Sequence, residues 1–295
     1  MGQDGVRLRG ARVDRATQRW VIATGTKISA TEHGWLTGPV GAPAVIGEQW
    51  IADHAARVGA STVEDPDAGL LPRLSELDGE GFRADDLHPR VRDFYERTAA
   101  YDLDVWTRWS RWAEPGGRLV NAVFARRLRQ LGLPLDPLEV AYGMDSRVVQ
   151  LRSATGDHLG SAWQRTLRST GATVFGGLYG VASLPSSPWP AIRVAFPLPN
   201  GSITVHLRPE VTSGGALRLS SPSGSFGSHG AYLVVRPEGQ PQGWARRVPL
   251  PEQFDVFVDA DGDLRCDHQL RLGPSEVLRL HYRMRPRSSP RRRAR

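Results

Sequence analysis

The sequence has almost no lysine or cysteine: Lys27 is the only lysine and Cys266 the only cysteine in 295 residues. A single cysteine excludes an intrachain disulfide and any cysteine-cluster metal site, and it suits a reducing compartment. No run of about 18 apolar residues occurs, so no helix is expected to span a bilayer. The opening MGQDGVRLRG lacks the apolar centre of a secretory signal, and Val6 breaks the myristoylation pattern. These absences lead to the expectation of a soluble, unsecreted, cytoplasmic protein. HExxH, GxSxG and the dinucleotide-binding fingerprint are missing too, and no solenoid period is visible. The glycine-rich SPSGSFGSHG leads into a strand and has no lysine, so it reads as a hairpin tip or lid and not as a phosphate loop. DADGD at 259–263 lacks the acidic twelfth ligand of a calcium loop, because position 270 is Leu270, and it reads as a hairpin turn. Neither a metal nor a cofactor is expected.

Arginine is abundant: 37 of the 38 basic residues (38 − 1). The net charge is +7, but RPRSSPRRRAR at 285–295 carries six arginines and no acid, so the preceding residues hold only 7 − 6 = +1. The basic balance is a property of the tail, expected to be disordered and able to attract polyanions or an anionic surface without specificity.

Hydrophobic residues at 40% and charged residues at 23% place the chain among ordinary globular proteins. The expected organisation is an N-terminal hairpin, helix and loops over 1–85, a main domain over 86–284, and the tail. Residues 6–24 read as two short strands about a polar turn, 44–58 as a helix, and STVEDPDAG as a linker. Pro89 in a first turn, with Asp86 or His88 as the cap, predicts a helix to about Ala99. Alternation from Tyr101 to Trp109 predicts a strand, and helical spacing returns over Arg118–Leu131. From about residue 144 the chain becomes strand and turn, with eleven strands near 144–152, 159–168, 172–182, 191–197, 202–209, 216–221, 230–236, 243–248, 254–259, 263–272 and 276–284. Their joints carry turn chemistry, such as PNG at 199 and SGG at 213. The fold expected is α+β and β-dominated: an antiparallel meandering β-barrel, lipocalin-like or related, with a few packed helices; the alternative is a β-sandwich.

The runs DFYERTAAYDLDVW, RRLRQLGLPLDPLEVAYGMDSRVVQL, VHLRPE and LRCDHQLRL resemble a family of uncharacterised proteins from high-GC, actinobacterial-type bacteria. The likeness covers about Gly69 to Met284. No activity is assigned to that family, so the resemblance implies a bacterial cytosolic setting and no site residues.

The richest polar stretch is NGSITVHLRPE, Asn200 to Glu210. In a strand, Ile203, Val205 and Leu207 share one face and Thr204, His206, Arg208 and Glu210 the other. Arg208 is the expected anchor for an anionic group, with His206 and Glu210 as candidate acid and base. A rival is His268, which shares the apolar parity of its strand with Cys266; the two are about 6–7 Å apart along it, too far for a direct thiolate pair. Trp163, Arg165 and Tyr282 join Arg208 as candidate ligand contacts, while His281 should be exposed. The leading function is binding of a mainly apolar small molecule with a polar or anionic end. The alternative is a cofactor-independent isomerase, cyclase or hydrolase using His268, His206 and Glu210; a weaker one is binding to nucleic acid or an anionic surface through the tail.

Overall fold

The computed structural model describes residues 8, 10, 12–41, 47, 49–109, 143–171, 173–237, 240, 242–272 and 275–287. The helix expected over Arg118–Leu131 and most of the arginine tail lie outside them.

The N-terminal expectation of two strands is corrected. Residues Arg12–Thr24 form helix α1, in which Gln18 and Val21 are buried three positions apart and Gly25 closes the last turn by donating to Val21 O at 2.7 Å. The helix is anchored from its buried side, where Gln18 Nε2 donates to Pro199 O and Asn200 Nδ2 donates to Gln18 Oε1. Strand β1 (Thr26–Ser29) follows, then a 3-10 turn carrying the buried Trp35 and Leu36. Helix α2 (Gln49–Val58) buries Trp50, Ile51, His54 and Ala55. The presumed linker holds a short edge strand, β2 (Ser61–Val63). Helix α3 (Pro89–Glu96) begins as expected, with His88 Nδ1 accepting from Arg90 N and Pro89 in the first turn.

Strand β3 is Tyr101–Trp109, and the eleven strands expected beyond residue 144 are all present: β4 (Met144–Arg152), β5 (His158–Leu167), β6 (Thr173–Ala182), β7 (Ala191–Leu198), β8 (Gly201–Thr212), β9 (Ala216–Ser220), β10 (Gly230–Val235), β11 (Gln242–Val248), β12 (Glu252–Val258), β13 (Leu264–Leu272) and β14 (Ser275–Pro286). Every pairing between these strands is antiparallel. They form one branched sheet of order β2-β4-β5-β6-β7-β8-β9-β12-β13-β14-β3, with β10, β11 and β1 leaving it at β8. The branch arises within one strand: Gly201–Val205 and His206 pair with β10, whereas Arg208–Thr212 pair with β9. Strand β14 runs past Met284, and Arg285 and Arg287 pair with Asp104 and Asp102, so the first tail residues belong to the sheet.

The β-dominated class is as expected, but the sheet is not closed. Among the described residues no ladder joins β3 to β4, although Arg287 Nη2 crosses from one end of the order to Ser146 O on the other at 2.6 Å. Both ends face one core, to which β3 gives Leu103 and Val105, β4 gives Met144 and Val148, and α3 gives Val91 and Phe94. A second core lies outside the sheet, where Ile28, Trp35 and Leu36 cover Tyr232, Val234 and Ala245. A third places Trp50, Ile51 and Ala55 of α2 against Val149, Leu151 and Ala162. The SPSGSFGSHG segment is tied down and not a lid: Tyr232 Oη accepts from Gly227 N and donates to Ser228 O at 2.6 Å, and Phe226 packs on Trp35. Trp106 of β3 points outward and is exposed.

Gly201 makes the branch possible, since a Cβ there would sit 1.8 Å from the Val234 carbonyl oxygen. Gly201→Ala must part β8 from β10 at its first pair, and a loss of about 1–3 kcal/mol in urea unfolding is expected; an unchanged midpoint would show that the turn absorbs a methyl group.

Candidate functional site

Parity along the strands sends a defined set of side chains into the space the sheet wraps. Ile203, Val205 and Leu207 point inward from β8, Trp163 and Arg165 from β5, Tyr282 from β14, and Cys266 and His268 from β13. They border a cavity of about 150 Å³ whose walls are mainly apolar and aromatic. Leu250, at the exposed edge, marks its mouth.

Arg165 is the charged group set deepest. It is 6% exposed, and its guanidinium carbon lies 4.3 Å from the ring centres of both Trp163 and Phe175 and 5.5 Å from that of Tyr282. Aromatic faces attract a cation and hold its plane. Arg165 forms a hydrogen bond with the Tyr282 hydroxyl, yet its Nε has no acceptor and it makes no ion pair among the described residues. Trp163 is fixed in turn by donating Nε1 to Ser146 Oγ at 2.8 Å. A buried guanidinium with no carboxylate paired to it costs several kcal/mol.

The second polar group is nearer the mouth. His268 Nε2 lies 3.1 Å from Glu252 Oε2, and the His268 ring stacks on Phe254, its register partner across β12 and β13, at 3.8 Å and 14°. His268 Nδ1 is buried with no partner among the described residues. Glu252 shares the inward parity of Phe254 and Val256, and both it and Arg165 act electrostatically on Tyr179 and Tyr282. Burial raises the hydroxyls of Tyr179 and Tyr282, so both stay protonated donors, and burial likewise raises the Cys266 thiol. Cys266 is an inert wall residue.

The other expected site residues do not join this cavity. His206 points to the opposite face of β8, is fully buried, and lies against Trp35 with ring centres 5.3 Å apart. Neither ring nitrogen has a partner among the described residues, and burial first, then Arg193 and His229, lowers its pKa to about 3. Arg208 and Glu210 form an exposed pair at 3.7 Å in an outer cleft of about 520 Å³ bordered by Trp189, Phe82 and His229. The combination of His268, His206 and Glu210 is therefore excluded, because the sheet separates them. His281, expected to be exposed, is half-buried, 2.7 Å from Asp267 and with its ring 6.0 Å from that of Trp106. DADGD is the expected turn, with Asp259 Oδ1 accepting from Asp261 N and Asp263 N. No cluster of three or more metal-ligating side chains exists among the described residues.

With this geometry in hand, comparison with known proteins gives one informative likeness. A Bacillus subtilis (strain 168) protein named "Uncharacterized membrane protein YndJ" is 28% identical over 239 residues. The match covers 80% of this chain and 41% of the relative, so the chain spans about two fifths of that protein's length. No family model matches the chain, and no solved structure does. The likeness overturns the expectation of a cytoplasmic protein, since the relative is named a membrane protein. No helix among the described residues is long and apolar enough to cross a membrane.

Proposed function

We propose that the protein binds a small, mainly apolar molecule with an anionic end, taken into the cavity with its anion on Arg165. The carrying observation is the guanidinium clamped between Trp163 and Phe175 in a mainly apolar space, with no carboxylate paired to it among the described residues. The sheet acts as a barrel with a seam between β3 and β4 that Arg287 bridges. A cavity of about 150 Å³ is the size that takes up benzene in an engineered core, so the ligand has roughly six to ten non-hydrogen atoms. Short branched or aromatic carboxylates fit; long-chain lipids do not. The likeness to the Bacillus protein supports a membrane setting for this activity.

Titration of 4-methylpentanoate against 4-methylpentan-1-ol, followed by calorimetry, tests the reading. The acid should bind more tightly by about 1.5–3 kcal/mol, the range for a hydrogen bond to a charged group. Equal affinity would remove Arg165 as the anchor.

A further inference from the structure

The cavity has two poles, and the second has no role in anion uptake. Glu252 Oε2 is held by His268, while the other carboxylate oxygen makes no hydrogen bond among the described residues, and Glu252 itself borders the cavity. The partner histidine cannot turn away, because its ring is stacked on Phe254. A carboxylate fixed by one oxygen and open at the other, in a space with apolar walls, is the arrangement of a general base. Two tyrosine hydroxyls, Tyr179 and Tyr282, border the same space and are kept protonated by their burial. They are donors for an oxygen that gains negative charge.

We propose that Glu252 is a catalytic base that interconverts the keto and enolate forms of a short branched 2-oxo acid, with His268 as its positioning residue. The inference rests on the binding reading, since Arg165 must hold the carboxylate. Each part of the substrate then has its counterpart: the carboxylate on Arg165, the alkyl group on the apolar walls, the 2-oxo oxygen toward a tyrosine hydroxyl, and the C3–H toward Glu252. In the forward step the free Glu252 oxygen takes the proton from C3. The C3–H electron pair becomes the C2–C3 π bond, and the carbonyl π pair moves onto the oxygen, which accepts from Tyr179 or Tyr282. Reversal returns a proton from Glu252 to C3. Glu252 is near the mouth, with 17% of its side chain exposed, so its proton exchanges with solvent. In D2O the cycle therefore replaces C3–H by C3–D with no net change of substrate.

The full chain is incubated with 4-methyl-2-oxopentanoate in D2O, loss of the C3 proton signal is followed by NMR, and binding is measured separately by calorimetry. The wild type should exchange C3–H faster than buffer. Glu252→Gln, which keeps the shape, should still take up the acid but lose exchange by roughly 10²–10⁴-fold. His268→Gln should displace the acid limb of the exchange pH profile, which a purely structural role would leave in place. Binding without exchange in the wild type, or full exchange in Glu252→Gln, overturns the catalytic step and leaves uptake standing. Absence of binding overturns uptake as well.

Discussion

Arg165→Met is expected to melt at a higher temperature than the wild type and to lose its preference for an acid over the matching alcohol. Both effects have one cause. The wild-type guanidinium is 6% exposed with an unpaired Nε, and its compensation comes from two aromatic faces and one tyrosine hydroxyl. Cation–π contacts return about 0.5–2 kcal/mol each when desolvated, against an effective cost of several kcal/mol for burying the ion. Methionine has similar length, no charge, and a sulfur that packs well against rings. Replacing buried ions by apolar residues has gained about 1–4 kcal/mol elsewhere, which for a chain of this size is a rise of several degrees. Calorimetry of unfolding, paired with the acid and alcohol titration, reads both. A variant of lower stability would show that Arg165 is a structural strut and not a receptor kept at a cost.

Acidification should weaken the outer layer well before the surface carboxylates titrate. Among the described residues both ring nitrogens of buried His206 and Nδ1 of buried His54 have no partner, and their pKa values fall from 6.5 to about 3 and about 4. Desolvation is the main cause for both; Arg193 and His229 add to it for His206, and Arg57 and Arg193 for His54. In the unfolded chain these imidazoles take up protons near pH 6.5, while in the folded chain they stay neutral. The stability they protect is whole above pH 6.5 and drains as pH falls, until the folded groups protonate near pH 4 and 3. At pH 4.5 each has lost roughly 3 kcal/mol at 1.36 kcal/mol per unit, and the two together remove a large part of a typical net stability of about 5–15 kcal/mol. Urea midpoints should be level above pH 7 and fall steeply from 6.5 to 4.5. His206→Leu should flatten only the His206 share of that slope, since His54 and His158, both lowered to about 4 by burial, keep theirs, and exceed the wild type at pH 5; an unchanged slope would mean that the His206 pocket admits water.

The sequence made the second half of the chain readable because alternation and turn residues agree there. ATGD, PNG and DADGD mark joints between strands whose parity is clean. It misled at α1, where Val13, Val21 and Ile22 suit a strand pattern as well as a helix, and only docking of Gln18 onto Pro199 and Asn200 decides between them. The cavity was half legible: Arg165, Trp163, Tyr282 and His268 share it, as their apolar-side parity allowed. Glu252 is hidden in the sequence because the apolar alternation begins only at Phe254, although the strand starts two residues earlier with the same parity. His206 was misplaced for a different reason. Both faces of β8 are buried, one by the cavity and one by Trp35, and a strand covered on two sides does not show in its own sequence which polar residues are solvated.

The branching strand also sets a size limit on what enters. Ile203, Val205 and Leu207 form part of the cavity wall, and the same backbone carries Thr204 and His206 on its far side, both without exposed surface. Close-packed interiors yield little to pressure. A ligand one or two carbons too long would have to push β8 backward into Trp35 and Tyr232, which already lie 5.0 Å apart ring to ring. The gauge of the cavity is thus held from outside it, by a layer of residues that do not border it.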